Sequence, residues 1–123
     1  MIFLTIPRIP KSPNRGRGVI GWSIWSSARK ERDVWRAELA FALRTTFGFK
    51  GWNHNNRRRR VVITQYRKRL LDKDNLYTSV KRLVDAMRDL QFIKQDSERW
   101  VDLKALQEKS AEERTTILIE DLK

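Results

Sequence analysis

The sequence has no cysteine in its 123 residues. That excludes a disulfide framework and a cysteine-ligated zinc site, and it fits a reducing cytosol. The 3 prolines, Pro7, Pro10 and Pro13, crowd near the start, where they break regular structure. The single histidine, His54, sits among asparagines in a loop and receives no catalytic role. No apolar run is long enough to span a bilayer. Met1–Ile6 is apolar but too short for the core of a secretory signal. There is no internal repeat, and no low-complexity tract beyond the four arginines at 57–60. Negative charge is scarce in the first part of the chain. Residues 1–71 hold 17 Lys/Arg against 3 Asp/Glu, a net of +14, whereas residues 72–123 hold 10 against 12, a net of −2.

What is present is a basic chain of formal net charge +12. Its length fits one domain. A single core of this size is marginal alone, so self-association is expected. The uneven charge favours a polyanionic partner, and nucleic acid is the common one. A membrane surface fits less well, because the basic residues do not line a helix with a large apolar opposite face.

Ile2, Leu4 and Ile6 alternate with Phe3 and Thr5 and read as a strand. Asn14-Arg15-Gly16-Arg17-Gly18 reads as a basic loop, and Val19–Trp25 as a short strand or part of that loop. Ser26 or Ser27 is placed to cap a helix that runs to about Phe47, with Trp35, Leu39, Ala42, Leu43 and Phe47 on one face. Lys50–Asn56 is polar turn material, and Val61–Tyr66 is β-branched and reads as a second strand. Leu76, Val80, Leu83, Val84, Met87 and Leu90 follow the helical period, with Asp74 or Asn75 at its N-cap. Trp100–Leu106 and Thr115–Ile119 read as two further strands joined by a charged loop. The expected fold is α/β or α+β: a small mixed sheet in β-α-β-α-β-β order with two helices packed on it.

Asp72-Lys73-Asp74-Asn75 lies at the strand-to-helix junction, directly after the basic part of the chain. Two carboxylates at i, i+2 point the same way while the chain stays extended. Together they suit a hard cation such as Mg²⁺, which takes oxygen ligands and keeps several waters. Asp96, past the second helix, is the next candidate ligand, if the return turn carries it back to the pair. Phosphodiester hydrolysis needs an oriented water and relief of charge on the phosphate. A carboxylate-held ion with a lysine nearby provides both. Each piece also has an ordinary explanation. Asp-x-Asp-Asn before a helix is most often a cap and turn. Lys81 and Asp85, at i, i+4, default to a surface ion pair, and Asp96-Ser97-Glu98 to turn chemistry.

Asp-Lys-Asp-Asn-Leu, then Lys81-Arg82-Leu83-Val84-Asp85-Ala86-Met87, then Ile93-Lys94-Gln95-Asp96-Ser97, resembles the signature of RusA-type Holliday junction resolvases. That signature runs Asp-x-Asp-Asn, Lys-x-x-x-Asp-Ala-Leu, then a hydrophobic turn and Asp-Asp-Ser or similar. Ile9-Pro10-Lys11-Ser12-Pro13-Asn14 is similar to the family's opening, so the likeness covers nearly the whole chain. The resemblance implies a single endonuclease domain over 1–123, in a bacterial or phage-type cytoplasm. It implies a homodimer that cuts four-way DNA junctions with paired nicks, using Mg²⁺ with Mn²⁺ as a substitute. Asp72, Asp74 and Asp96 match the family's essential, metal-holding acids, Lys81 its essential lysine, and Asn75 the supporting asparagine. Lys81 follows Asp74 by seven residues, where one branch has four and this chain has Thr78. Gln95 replaces the first acid of the later pair, and Leu90-Gln91-Phe92 lacks the glycine of the preceding turn.

Arg57, Arg58, Arg59 and Arg60, with Arg67, Lys68 and Arg69, bracket the second strand and suit the DNA backbone. Arg15 and Arg17 are placed to grip a second arm, and Lys50–Asn56 is a further contact candidate. Trp35 fits the first helix's core face and Trp100 a strand; Trp22, Trp25 and Trp52 are left for core, dimer packing or base stacking. Two rival functions remain: a structure-specific DNA-binding protein that does not cut, and a nuclease for flaps, replication forks or other branched DNA.

Overall fold

The computed structural model of the chain describes residues 2–10, 21–47 and 57–122, with first-helix side chains described only over 29–45. The elements follow the order β1 (Ile2–Ile6), α1 (Gly21–Phe47), β2 (Arg59–Arg67), α2 (Lys73–Ser79), α3 (Lys81–Asp89), β3 (Val101–Lys109) and β4 (Arg114–Asp121). The strands form one mixed sheet in the order β1-β4-β2-β3. β4 runs antiparallel to both β1 and β2, while β2 and β3 are parallel. The α+β class expected from the sequence is therefore observed. β3 and β4 are not neighbours, because β2 lies between them.

Period-two alternation puts one sheet face against the helices. Ile2, Leu4, Ile6, Val61, Ile63, Val101, Ala105, Ile117 and Ile119 are buried there. They meet Trp35, Leu39, Ala42 and Leu43 of α1, and Leu83, Val84, Ala86 and Met87 of α3. α1 packs on α3 and β1, and α2 packs on β3. Each fully buried aliphatic side chain contributes about 1.5–3 kcal/mol of transfer free energy, so the helix faces hold the sheet rather than decorate it.

Three elements differ from the sequence expectation. α1 is already helical at Gly21, so Ser26 and Ser27 lie inside it rather than at its start, and the strand reading of 19–25 fails over its helical part. The second helix is two segments meeting at Val80 (φ −84°, ψ −4°). The Thr78 hydroxyl donates to the Asp74 carbonyl at 2.9 Å and the Ser79 hydroxyl to the Leu76 carbonyl at 2.6 Å. Hydroxyls competing for carbonyls of the preceding turn are a recognised cause of helix bending. Trp100 sits in the turn before β3 rather than within it, with Lys94 Nζ 4.2 Å from its ring centroid. Arg15, Arg17, Trp52, His54 and the rest of 11–20 and 48–56 lie outside the described residues, as do the side chains of Trp22, Trp25 and Phe47.

Candidate metal and nucleic-acid site

β2 delivers the chain to the Asp72–Asn75 run, and its end is held from beneath. Arg67 occupies a helix-facing position and is buried. Its Nη1 donates to the Pro10 carbonyl at 3.1 Å and to Gln65 Oε1 at 2.6 Å. Gln65 Nε2 in turn donates to Ser79 Oγ at 2.9 Å, tying the strand to α2. Burial lowers the Arg67 pKa, partly opposed by Glu113, and its Nε has no partner among the described residues.

The next fixed point is Leu71. Its N–H donates to Gln107 Oε1 at 2.9 Å, and its carbonyl accepts from Gln107 Nε2 at 2.7 Å. Asp72 follows in an extended conformation (φ −61°, ψ 154°) at the N-cap position of α2. Its carbonyl accepts from Leu76 N at 2.8 Å, but its side chain makes no capping bond. Asp74 lies in the first turn of the helix, so the chain is not extended through both acids and the i, i+2 alternation does not aim their carboxylates the same way. Both carboxylates are exposed, and neither has a hydrogen-bond or ion-pair partner among the described residues. The ordinary capping explanation therefore fails for Asp72.

Asn75 is half-buried one residue further on. Lys81 opens α3, exposed, seven residues after Asp74 and just past the break at Val80. The Lys81–Asp85 surface pair does not form. Asp85 is buried and accepts from Arg82 Nη1 at 3.4 Å instead, which leaves Lys81 without an ion pair among the described residues. Lys68, Arg69 and Lys73, within a few residues of the acids in sequence, are likewise exposed.

Asp96 is elsewhere. It precedes β3, and Val101 N donates to the Ser97 carbonyl at 3.0 Å. Because β2 and β3 are parallel, with Arg59 opposite Val101 and Arg67 opposite Lys109, the start of β3 lies at the opposite sheet end from the exit of β2. The return turn does reach the sheet, but at its far end. From Gln107, which holds Leu71, to Val101 is about 20 Å of strand. Among the described residues no group of three or more His, Asp or Glu stands close enough to hold one ion. Asp72 and Asp74 can contribute to a hard-cation site; within one chain Asp96 cannot join them.

The arginine run divides by strand parity. Arg59 faces the helices and is buried, donating from Nε to Asp121 Oδ1 and from Nη1 to the Phe92 carbonyl, both at 2.8 Å. Burial lowers its pKa, and the Asp121 hydrogen bond opposes that shift. Arg60, on the other face, pairs with Asp102 at 3.1 Å and Glu120 at 3.3 Å. Arg57 and Arg58 are exposed, Arg57 3.7 Å from Asp121 and Arg58 donating to the Glu98 carbonyl at 3.1 Å. Arg59 and Arg67 thus act in the fold, a correction to their assignment as phosphate contacts. Gln65, Ser79 and Gln107 were missed from the sequence, because an uncharged polar residue inside a strand or helix pattern carries no local signal. Lys73 lies between the two acids and is exposed.

Among the described residues no helix is long and apolar enough to cross a membrane. No protein-family model matches the chain, and no curated protein matches it either.

Proposed function

We propose that the protein is a Mg²⁺-dependent endonuclease acting on branched DNA, most simply four-way junctions, as a homodimer in the manner of the RusA-type resolvases it resembles. The observation that carries this reading is the state of Asp72 and Asp74. Their backbone is fixed, while their carboxylates are exposed and unbonded, with the exposed cations Lys68, Arg69, Lys73 and Lys81 close by along the chain. A cap uses its carboxylate, whereas a ligand keeps it available.

Asp72 and Asp74 would hold the ion, with Mn²⁺ as a substitute, and Asn75 would support them. The ion, when bound, supplies Lewis-acid stabilisation and an oriented water. Lys81 places positive charge where negative charge develops on the phosphate or the departing oxygen. Lys68, Arg69 and Lys73 bind neighbouring phosphates, with Arg57 and Arg58 on the backbone at the other sheet end. A third carboxylate, Asp96, would reach the pair only from a second copy, an arrangement that suits a substrate with two symmetry-related strands to cut.

The test is cleavage of a synthetic four-way junction in Mg²⁺. Wild-type protein is expected to cut it, and Asp74→Asn to bind but not cut; normal cutting by that variant removes Asp74 from the site. A second reading, a branched-DNA-binding protein that does not cut, is favoured by the distance of Asp96 from the pair and by Gln95 standing in place of an acid. Junction binding with no product in Mg²⁺ or Mn²⁺ selects it. Relative rates on junction, flap, fork and duplex identify the preferred substrate.

A further inference from the structure

We infer that Gln107 is the positioning residue of the Asp72 carboxylate, an inference that rests on the endonuclease reading above. Gln107 lies on β3, outside the sequence run that carries the acids, and touches the site through one residue's backbone. Its side-chain amide both accepts from the Leu71 N–H at 2.9 Å and donates to the Leu71 carbonyl at 2.7 Å. A carboxamide has an acceptor and donors on one rigid plane, so this paired contact leaves the Leu71 backbone little freedom to rotate. The Leu71 carbonyl belongs to the same planar peptide unit as the Asp72 N–H. Gln107 therefore fixes the peptide plane entering Asp72. The plane leaving Asp72 is fixed independently, by its carbonyl accepting from Leu76 N at 2.8 Å. Both planes around the Asp72 Cα are set, and with them the direction of its Cα–Cβ bond, while the carboxylate itself forms no cap bond.

That division of labour is what a metal ligand needs. A carboxylate that must meet an ion at a bond length of about 2.0–2.1 Å gains from a pinned backbone and loses from a competing hydrogen bond. Outer partners that orient ligands typically change metal affinity or activity by about 10- to 100-fold when removed. Leu71 and Gln107 are both half-buried, so the paired bonds are partly shielded from water.

The experiment compares wild-type protein with Gln107→Glu and Gln107→Met. Glutamate keeps the acceptor for the Leu71 N–H and loses the donor to its carbonyl; methionine loses both. Far-ultraviolet circular dichroism and thermal melting establish that each variant folds. Junction cleavage is then titrated with Mg²⁺, and junction binding is measured in EDTA. The expected result is a half-activating Mg²⁺ concentration raised by about 10-fold or more, with binding in EDTA unchanged and much of the rate recovered at high Mg²⁺. A merely structural role would lower the melting temperature without moving the Mg²⁺ midpoint. A folded variant with the wild-type midpoint overturns the inference while leaving the endonuclease reading intact. Failure of both variants to fold assigns Gln107 to packing and also overturns it. Wild-type protein that neither cuts in Mg²⁺ nor binds Mg²⁺ by calorimetry overturns the endonuclease reading itself, and this inference with it.

Discussion

At the residue scale, two acids five and seven residues from a buried arginine decide what the strand-to-helix junction is for. Asp72 holds the position of a helix cap and does not cap. Because its carboxylate makes no capping bond, Asp72→Ala should cost less than the roughly 1 kcal/mol typical of a lost cap while abolishing Mg²⁺-dependent cutting. Urea denaturation beside the junction assay measures both, and a full capping loss with normal cutting reverses the assignment. The arginine run shows how far single residues were legible. Val61 and Ile63 announce a core face by alternation, and extending that alternation back one step places Arg59 on it. Read as a charge run, the four arginines looked equivalent. Read as the start of a strand, they divide into a buried tie between Asp121 and the Phe92 carbonyl and three residues on or near the surface. Gln107 had no such signal, because its partner is a backbone group 36 residues away in sequence.

At the scale of elements, the apolar period was the reliable guide. Leu76, Val80, Leu83, Val84 and Met87 are buried as the period required, and Leu90 packs against the core's edge. The period could not reveal the bend at Val80, which comes from side-chain hydroxyls rather than from apolar spacing. The end of α3 carries a more specific lesson. Gln91 N donates to the Arg88 carbonyl at 3.0 Å and Phe92 N to the Met87 carbonyl at 2.9 Å, the paired bonds of a Schellman C-cap. The residue between, Gln91, has φ 63°. That left-handed region costs a residue with a Cβ about 1–2 kcal/mol. The glycine missing from Leu90-Gln91-Phe92 is thus missing at the one position of this turn that favours glycine. Gln91→Gly should raise the unfolding free energy by up to about 1 kcal/mol, and Gln91→Val should lower it, both read from denaturation midpoints at constant slope. The opposite order would mean that contacts of the Gln91 side chain outweigh its backbone strain.

At the scale of the whole molecule, strand order governs what the site can contain. The sequence presents Asp72, Asp74 and Asp96 as near neighbours along the chain, joined by one helical passage. Parallel pairing of β2 with β3 sends that passage from one end of the sheet to the other. Nothing in local periodicity distinguishes this from a hairpin return, since parallel and antiparallel strands share the same side-chain alternation. If all three acids serve one ion, Asp96 must come from the second copy of a two-fold dimer, and each dimer then has two shared sites. This arrangement has a signature in mixed dimers. Asp74→Asn and Asp96→Asn should each be inactive alone. When the two are unfolded together and refolded as a mixture, about half of the dimers contain one copy of each variant, if pairing is random. In those dimers one site collects both lesions and the other collects none, so nicking of a junction strand returns although neither variant cuts alone. Were each site built within one chain, every site in the mixed dimer would carry a lesion and no nick would appear. Denaturing gel electrophoresis of a junction labelled on one strand reads the result directly. Recovery of single nicks places Asp96 across the dimer axis. A mixture as silent as its parents, in which mixed dimers are verified by differential tagging, removes Asp96 from any shared site. Mg²⁺ would then rest on Asp72 and Asp74 with water completing its octahedron.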